Sequence, residues 1–232
     1  MMDVYLIAGQ SNALGISPVS GLSEQYSFSS LLYQASNVSV PQERRIVPVC
    51  PGLGADESKF GLELGAAKAF SDGRVGFIKY ASDGTSLYDR WSAAGEDFLG
   101  LTQTFSEGMR AFEELGHAPR VRGMLWMQGE NDASFEYQAE AYEENFRAFV
   151  ARVREFAGEI PIAVGQTNPS NPCLPFSDAV NRAKKRVAED TRGVLFVRTD
   201  DLTHLIDNYH YTAADMMALG ERLAAAIKEN LV

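Results

Sequence analysis

Short apolar runs alternate with amphipathic segments along most of this chain, and the alternation restricts the folds open to it. The apolar runs have strand-like length and are bounded by turn signals. They lie at residues 4–8, 46–49, 75–80, 121–127, 160–165 and 194–197. Segments typical of helices lie between most of them, at residues 60–70, 97–115, 136–156, 177–189 and 213–230. This order predicts an α/β protein, a three-layer α/β/α sandwich with a mostly parallel sheet.

Length and net charge further restrict the number of domains and the classes of binding partner. The 232 residues suit one α/β domain, and we expect residues 1–232 to form a single domain because no repeat or linker interrupts them. A net charge of -10 argues against nucleic acid and anionic membranes as partners. No apolar stretch approaches the roughly 20 residues of a membrane span. No signal peptide is visible, so we expect a cytoplasmic protein, with a trimmed export signal as the alternative.

Polar clusters follow the predicted strands. In a parallel sheet the carboxyl ends of the strands lie at one edge, which is where ligands bind in such folds. We therefore expect the clusters to form one site, although each alone would be an ordinary polar turn. They are Gly9-Gln10-Ser11-Asn12, residues 81–87, residues 128–132, residues 166–169 and a loop that ends in Asp207-Asn208-Tyr209-His210.

Ser11 is the candidate nucleophile. A serine hydroxyl needs a base, which is usually a histidine held by a carboxylate. Asp207-x-x-His210 and Asp201-x-x-His204 have the same spacing, so spacing alone does not choose between them. We prefer His210, with Asp207 as its orienting acid, because it lies on the loop that enters the last helix.

The remaining polar residues suit transition-state and substrate binding. The backbone N–H of Gly84, the N–H of Ser11 and the amide of Gln128 are candidate oxyanion donors. Gln128 could equally satisfy buried backbone groups. Gln10, Asn12 and Glu130 are expected beside them as substrate-binding residues.

Metal and glycosidase chemistry are disfavoured. Glu130 and Asp132 lack His or Cys companions for a metal site. Used as a glycosidase acid–base pair, they would leave Ser11 and His210 without a role. Two cysteines, Cys50 and Cys173, make neither a disulfide framework nor a metal cluster, and we expect free thiols.

Four segments together resemble the SGNH/GDSL hydrolase superfamily, most closely its sialate O-acetylesterase and acetylxylan esterase group of carbohydrate esterases. The resemblance runs from residue 4 to the last helix. The segments are Gly9-Gln10-Ser11-Asn12, Gly84-Thr85-Ser86 with Trp91, Trp126-x-Gln128-Gly129-Glu130-x-Asp132 and Asp207-x-x-His210.

The resemblance implies a flavodoxin-like, five-stranded sheet and metal-independent removal of acetyl groups from sugars, with no cofactor. It matches Ser11, His210 and Asp207 to the triad. It also matches Gly84 and Gln128 to the oxyanion donors. Two positions depart from the family pattern: Leu62 stands where proline is usual and Asp83 where glycine is usual. A carboxylate at position 83 bears on substrate preference.

Other readings fit the residues less well. An α/β-hydrolase would have Gly-x-Ser-x-Gly, and here position 13 is alanine. A dinucleotide-binding fold would have Gly-x-Gly-x-x-Gly after the first strand. A non-catalytic carbohydrate-binding relative, or an esterase for short acyl chains on a non-sugar alcohol, remains an alternative. The natural sugar and the oligomeric state stay open.

Overall fold

The computed structural model describes residues 1–34, 45–71, 73–169 and 171–231, and its strands and helices alternate along the chain. The strands are β1 (Met2–Gly9), β2 (Ser17–Pro18), β3 (Leu31–Gln34), β4 (Arg45–Pro48), β5 (Lys59–Phe60), β6 (Gly76–Ala81), β7 (Pro119–Met127), β8 (Ile162–Gly165) and β9 (Val194–Val197). The helices are α1 (Ser11–Leu14), α2 (Leu62–Ala69), α3 (Glu96–Glu114), α4 (Glu136–Ala157), α5 (Ser177–Asp190) and α6 (Ala213–Glu229). The predicted helical segments are confirmed to within two residues at each end.

Within the described residues the main sheet has seven strands in the order β4-β3-β6-β1-β7-β8-β9. Only β4 is antiparallel to its neighbour. The mostly parallel sheet is confirmed, whereas the expected count of five is wrong. Strands β6-β1-β7-β8-β9 have the flavodoxin-like order, and β3 and β4 extend the sheet beyond β6.

Strand β3 comes from a stretch, residues 17–51, in which the sequence predicts a strand at residues 46–49 and no other element. Its four residues, Leu-Leu-Tyr-Gln, are too short for a periodic signal. They form a strand because β6 has an edge that they can pair with, in a parallel register from Leu31↔Gly76 to Gln34↔Lys79. Residues 35–44 of that stretch lie outside the described residues.

Each face of the sheet carries its own apolar core, as the alternation of side chains in β1 shows. Val4, Leu6 and Ala8 face a core that includes residues of α3, α4 and α5. Tyr5 and Ile7 face the other core, which includes residues of α2 and α6. Both faces of β1 are therefore covered, and this gives the predicted three layers.

The state of the two cysteines and the apolar character of the helices bear on two further expectations. Cys50 and Cys173 are free thiols, as predicted. Among the helices of the described residues, none combines the length and the apolar character needed to cross a membrane.

One buried ion pair joins the sheet to α2. Lys79 of β6 donates to Glu63 Oε2 at 2.8 Å and to the carbonyl of Leu53 at 2.8 Å. Glu63 Oε1 in turn accepts the N–H of Gly61 at 2.7 Å. The two side chains are 3% and 0% exposed, so each charge depends on the other for compensation.

We expect Lys79→Met to lower the free energy of unfolding by about 3 kcal/mol, because it leaves the Glu63 carboxylate buried without a cation. Denaturant unfolding measures the loss. The double variant Lys79→Met/Glu63→Gln should recover most of it, since the glutamine removes the charge and can still accept from Gly61. Lys68→Met is the matched control, because Lys68 contacts Glu221 at the same 2.8 Å on the exposed surface. Equal losses for Lys68→Met and Lys79→Met would contradict this account of the buried pair.

Candidate active site

The carboxyl ends of β6, β1 and β7 are level with one another. Gly9 is in register with Ala81 on one side and Met127 on the other. The polar clusters that follow these strands therefore leave the sheet at the same height. They open onto a cleft of about 190 Å³ lined by Gln10, Ser11, Asp83, Gly84, Glu130, Asn131, Ser134, Tyr209 and His210.

A larger depression, of about 550 Å³, lies at the other end of the sheet strands. Its lining includes Arg120, Arg122, Arg154 and Arg192, and the part of the chain that the structure describes places no serine, cysteine or histidine in it. The smaller cleft is therefore the better candidate for catalysis, since it combines a hydroxyl with an imidazole.

Ser11 is delivered to the cleft by a sharp turn at Gly9. Gly9 has a φ of +140°, and a Cβ atom there would lie 1.9 Å from the carbonyl oxygen of Met127. Only glycine fits this position. Ser11 then begins the short helix α1, and its N–H has no acceptor among the described residues. That N–H is free to bind a ligand oxygen.

His210 is held in the cleft by Asp207, as its spacing predicts. The imidazole Nδ1 lies 2.7 Å from Asp207 Oδ2. Asp207 Oδ1 accepts the backbone N–H groups of Tyr209 at 2.7 Å and His210 at 2.9 Å. Burial raises the pKa of Asp207, but these three hydrogen bonds outweigh burial and hold the pKa below its usual value. Asp207 is therefore suited to be the carboxylate that orients His210.

The second Asp-x-x-His segment does not form such a pair. Asp201 contacts Arg222 at 2.7 and 2.5 Å. The side chain of His204 is 75% exposed, and its Nδ1 lies 3.3 Å from Asp215. His204 is not among the cleft-lining residues. The structure thus separates two histidines that sequence spacing could not.

Ser11 and His210 line the same cleft without a hydrogen bond between them in the described structure. Catalytic hydrogen bonds are often long in the absence of substrate and tighten in the reactive complex. The shared cleft therefore remains compatible with a serine–histidine pair.

Gln128 lies beneath the cleft rather than in its wall. It is fully buried, and its Nε2 is close to three acceptors: Asp132 Oδ2 at 2.5 Å, the carbonyl of Thr85 at 3.2 Å and Gln10 Oε1 at 3.3 Å. Its Oε1 accepts from Tyr142 at 3.1 Å. Both amide hydrogens are engaged by protein groups, so this amide supports its neighbours in the observed arrangement.

The side-chain amide of Gln10 is held through its oxygen. Its Oε1 accepts from Gln128, from the N–H of Gly129 at 3.2 Å and from the N–H of Asn131 at 3.2 Å. These three donors fix the orientation of the amide. Gln10 lines the cleft, and its Nε2 has no acceptor among the described residues. A donor group is therefore preorganised beside Ser11.

Asn12 joins three of the loops. Its Nδ2 donates to Glu130 Oε1 at 2.8 Å and to the carbonyl of Tyr209 at 3.1 Å. Asn12 lies under the surface, fully buried, and does not line the cleft. It connects the serine turn to the loop that carries His210, so its contacts are those of a positioning residue.

Gly84 supplies a backbone turn at the cleft. Its φ is +64°, and a Cβ there would meet nothing within 4 Å. The glycine is thus favoured by its left-handed conformation, not by a close approach of other atoms. Its N–H has no acceptor among the described residues and remains available.

Asp132 and Lys184 form a buried layer under these residues. Asp132 accepts from the N–H groups of Leu87 at 2.9 Å and Tyr88 at 3.1 Å, as well as from Gln128. Burial raises its pKa to about 6, although those hydrogen bonds act in the opposite direction. Burial lowers the pKa of Lys184 to about 8, while Glu130 and Asp132 oppose the change.

Sequence reasoning missed Lys184, although a signal existed. Lys184 stands on α5 between Val180 and Val187, at the spacing of a buried helical face. Its Nζ donates to the carbonyl of Gly165 and to Thr167 Oγ1, both at 2.8 Å. A lysine on an apolar face indicates a buried polar partner.

In the described residues no group of three or more His, Cys, Asp or Glu is arranged to hold a metal ion.

The chain matches one family model and is similar to several solved structures. A family model described as carbohydrate esterase, sialic acid-specific acetylesterase, matches residues 1–229. Among solved structures, the chain is similar to a protein from Arabidopsis thaliana, at 19% identity and a TM-score of 0.79, with 99% of each chain covered. No curated protein sequence matches.

Two carbohydrate acetylesterases are also similar in structure. One, from Xanthomonas citri, has 17% identity and a TM-score of 0.68, with 98% of this chain and 56% of that chain covered. The other, from Sinorhizobium meliloti, has 15% identity and a TM-score of 0.59, with 100% of both chains covered. At such identities the likeness shows the fold.

We expect His210→Ala to lower kcat for a small acetyl ester at least about a thousandfold, because the base is lost. His204→Ala should stay within about twofold of the unchanged protein, since this side chain is exposed outside the cleft. Initial rates on 4-nitrophenyl acetate measure both, with circular dichroism as the check on folding. If His204→Ala lost activity and His210→Ala kept it, the choice of base would be wrong.

Proposed function

Because the chain belongs to the sialic acid-specific acetylesterase family of carbohydrate esterases, we propose that it removes O-acetyl groups from acetylated carbohydrates through an acyl-enzyme. The observation that carries the proposal is the Asp207–His210 pair in one cleft with Ser11. Binding alone would not need an oriented imidazole beside a serine hydroxyl.

The reaction follows from the contacts of His210. A proton on Nδ1 satisfies the 2.7 Å contact with Asp207 and leaves Nε2 free to accept the proton of Ser11. Ser11 Oγ then attacks the acetyl carbonyl. His210 gives the proton to the sugar oxygen as the bond to the acetyl group breaks. Water, activated by the same imidazole, releases acetate from Ser11.

Three donors can stabilise the oxyanion of this reaction. We assign the N–H groups of Ser11 and Gly84 and the Nε2 of Gln10, which has no acceptor among the described residues. Gln128 then acts indirectly, by donating to Gln10 Oε1. Glu130 and Asn12 hold the loops that surround the cleft.

We expect Ser11→Ala to abolish acetate release from acetylated sugars while the fold stays intact, because it removes the proposed nucleophile. Ser134 also lines the cleft, but its hydroxyl donates to the carbonyl of Glu130 at 3.1 Å. An acetate assay measures the loss, and thermal unfolding gives the fold control. Near-normal turnover in Ser11→Ala would rule out Ser11 as the nucleophile.

The charge of the cleft favours a neutral sugar over an acetylated sialate. Asp83 lines the cleft next to Gly84, and among the described residues of the lining there is no lysine or arginine. A carboxylate at this position repels an anionic substrate and brings no penalty to a neutral one. Acetylated neutral sugars such as those of xylan are therefore the proposed substrate class.

We expect Asp83→Asn to raise kcat/KM for acetylated sialate about threefold relative to acetylated xylose, because it removes one repulsive charge at a water-exposed site. Asp89→Asn is the matched control, since it removes an exposed charge that does not line the cleft. Competition between the two sugars measures the ratio at low and high salt. The same ratio for both variants would contradict a role of Asp83 in substrate choice.

A further inference from the structure

Three exposed aromatic side chains lie together beside the candidate active site. Tyr88, Phe135 and Tyr137 are 46%, 48% and 55% exposed. The rings of Tyr88 and Tyr137 meet edge to face, with centroids 5.2 Å apart and an interplanar angle of 87°. The ring of Phe135 lies 6.1 Å from that of Tyr137. We call these three residues the aromatic platform.

Tyr88 and Phe135 of the aromatic platform lie on segments that also supply cleft residues, and Tyr137 lies in the first turn of α4. Phe135 follows Ser134, which lines the cleft, and Tyr88 follows the cleft residues Asp83 and Gly84 by a few positions. The carboxylate of Asp132 accepts the N–H of Tyr88 at 3.1 Å and thereby ties the two loops together. The platform therefore begins next to the cleft, although its three side chains are not among the residues that line it.

Ring geometry in the platform is constrained. Tyr137 OH accepts a hydrogen bond from Gln138 Nε2 at 3.0 Å, which fixes the direction of its ring. Tyr88 packs against Tyr137, so the two rings hold each other. Single exposed apolar side chains are common, but contiguous exposed apolar patches are often interaction sites.

We infer that the aromatic platform is an accessory subsite that stacks against a sugar ring of an oligosaccharide substrate, next to the acetylated unit in the cleft. A pyranose ring presents polarised C–H groups on one face, and the negative face of an aromatic ring attracts them. The tyrosine hydroxyls can bind sugar hydroxyls at the rim of the same face. The inference rests on the proposed esterase function and adds chain length to its substrate class.

A sugar ring fits the platform better than a second copy of this chain. Three half-exposed rings offer on the order of 300 Å² of apolar surface. A stable protein interface needs roughly 800 Å² from each partner. The platform is large enough for one or two sugar rings and too small for a dimer contact.

The test compares a short and a long substrate in Tyr88→Ala and Tyr137→Ala. For acetylated xylotetraose we expect KM to rise about fivefold in each variant with kcat retained, because one stacking ring is lost. For 4-nitrophenyl acetate and acetylated xylose we expect no change. Tyr137→Phe keeps the ring and loses the hydroxyl, so its KM for the tetrasaccharide should rise less than that of Tyr137→Ala, and on the two short substrates it should match the unchanged protein. Leu115→Ala is the control for loss of an exposed apolar side chain away from the cleft.

A second readout does not depend on catalysis. Titration of unacetylated xylotetraose should show binding to the unchanged protein and about fivefold weaker binding to Tyr137→Ala. Unchanged binding, or an equal KM for the tetrasaccharide in all variants, would overturn the subsite. So would concentration-dependent self-association that Tyr88→Ala removes. Failure of the unchanged protein to hydrolyse any acetyl ester would instead defeat the proposed function, and the titration would still decide whether the platform binds sugar.

Discussion

The close approach of β1 and β7 at Gly9 is the constraint on which the rest of the site depends. The space for a Cβ at Gly9 is already taken by the carbonyl of Met127, so the two strands can end level only with glycine there. The N–H of Gln10 then donates to that same carbonyl at 3.0 Å. The chain therefore leaves β1 toward Ser11 at the same level at which it leaves β7 toward residues 128–132. A displacement of either strand end would separate the serine from the residues that support it.

Beneath the cleft, polar groups replace the apolar packing found elsewhere in the core. Gln128, Asp132, Tyr142 and Lys184 are 0% exposed. Burying such groups is unfavourable unless each finds partners, and here each does. The pKa of Asp132 is raised and the pKa of Lys184 is lowered because burial disfavours the charged form of each side chain. In return, the network holds Gln10 and the loop backbone in fixed positions, as catalysis by preorganised dipoles requires.

The sequence predicted what depends on local pattern and missed what depends on tertiary packing. Apolar runs marked the strands of the central sheet, and polar clusters after them marked the edge where Ser11 and His210 now lie. By contrast, β3 forms because it can pair with the edge of β6. A segment of four residues has no sequence pattern that predicts such pairing. The position of Gln128 was equally open, because its motif is compatible with either a cleft wall or a buried support. Its several protein partners favour the buried support. The sequence favoured His210 by its place before the last helix, but the two equal spacings gave no reason to prefer it. The structure adds that His210 contacts Asp207, whereas His204 lies against Asp215.

Asp132 connects the parts of the site that act at different distances from the reacting bond. One of its oxygens accepts from Gln128, which supports Gln10 beside Ser11, and the other accepts the N–H of Tyr88 in the aromatic platform. A single buried carboxylate thus contacts both the residue that supports Gln10 and the backbone of one ring of the aromatic platform. Because the groups share one anchor, we expect a change at Asp132 to disturb both the proposed catalysis and the proposed binding of a long substrate. Changes at the exposed rings should alter only that binding. On this proposal, the length of the substrate can vary within the fold without a change in the chemistry proposed for Ser11.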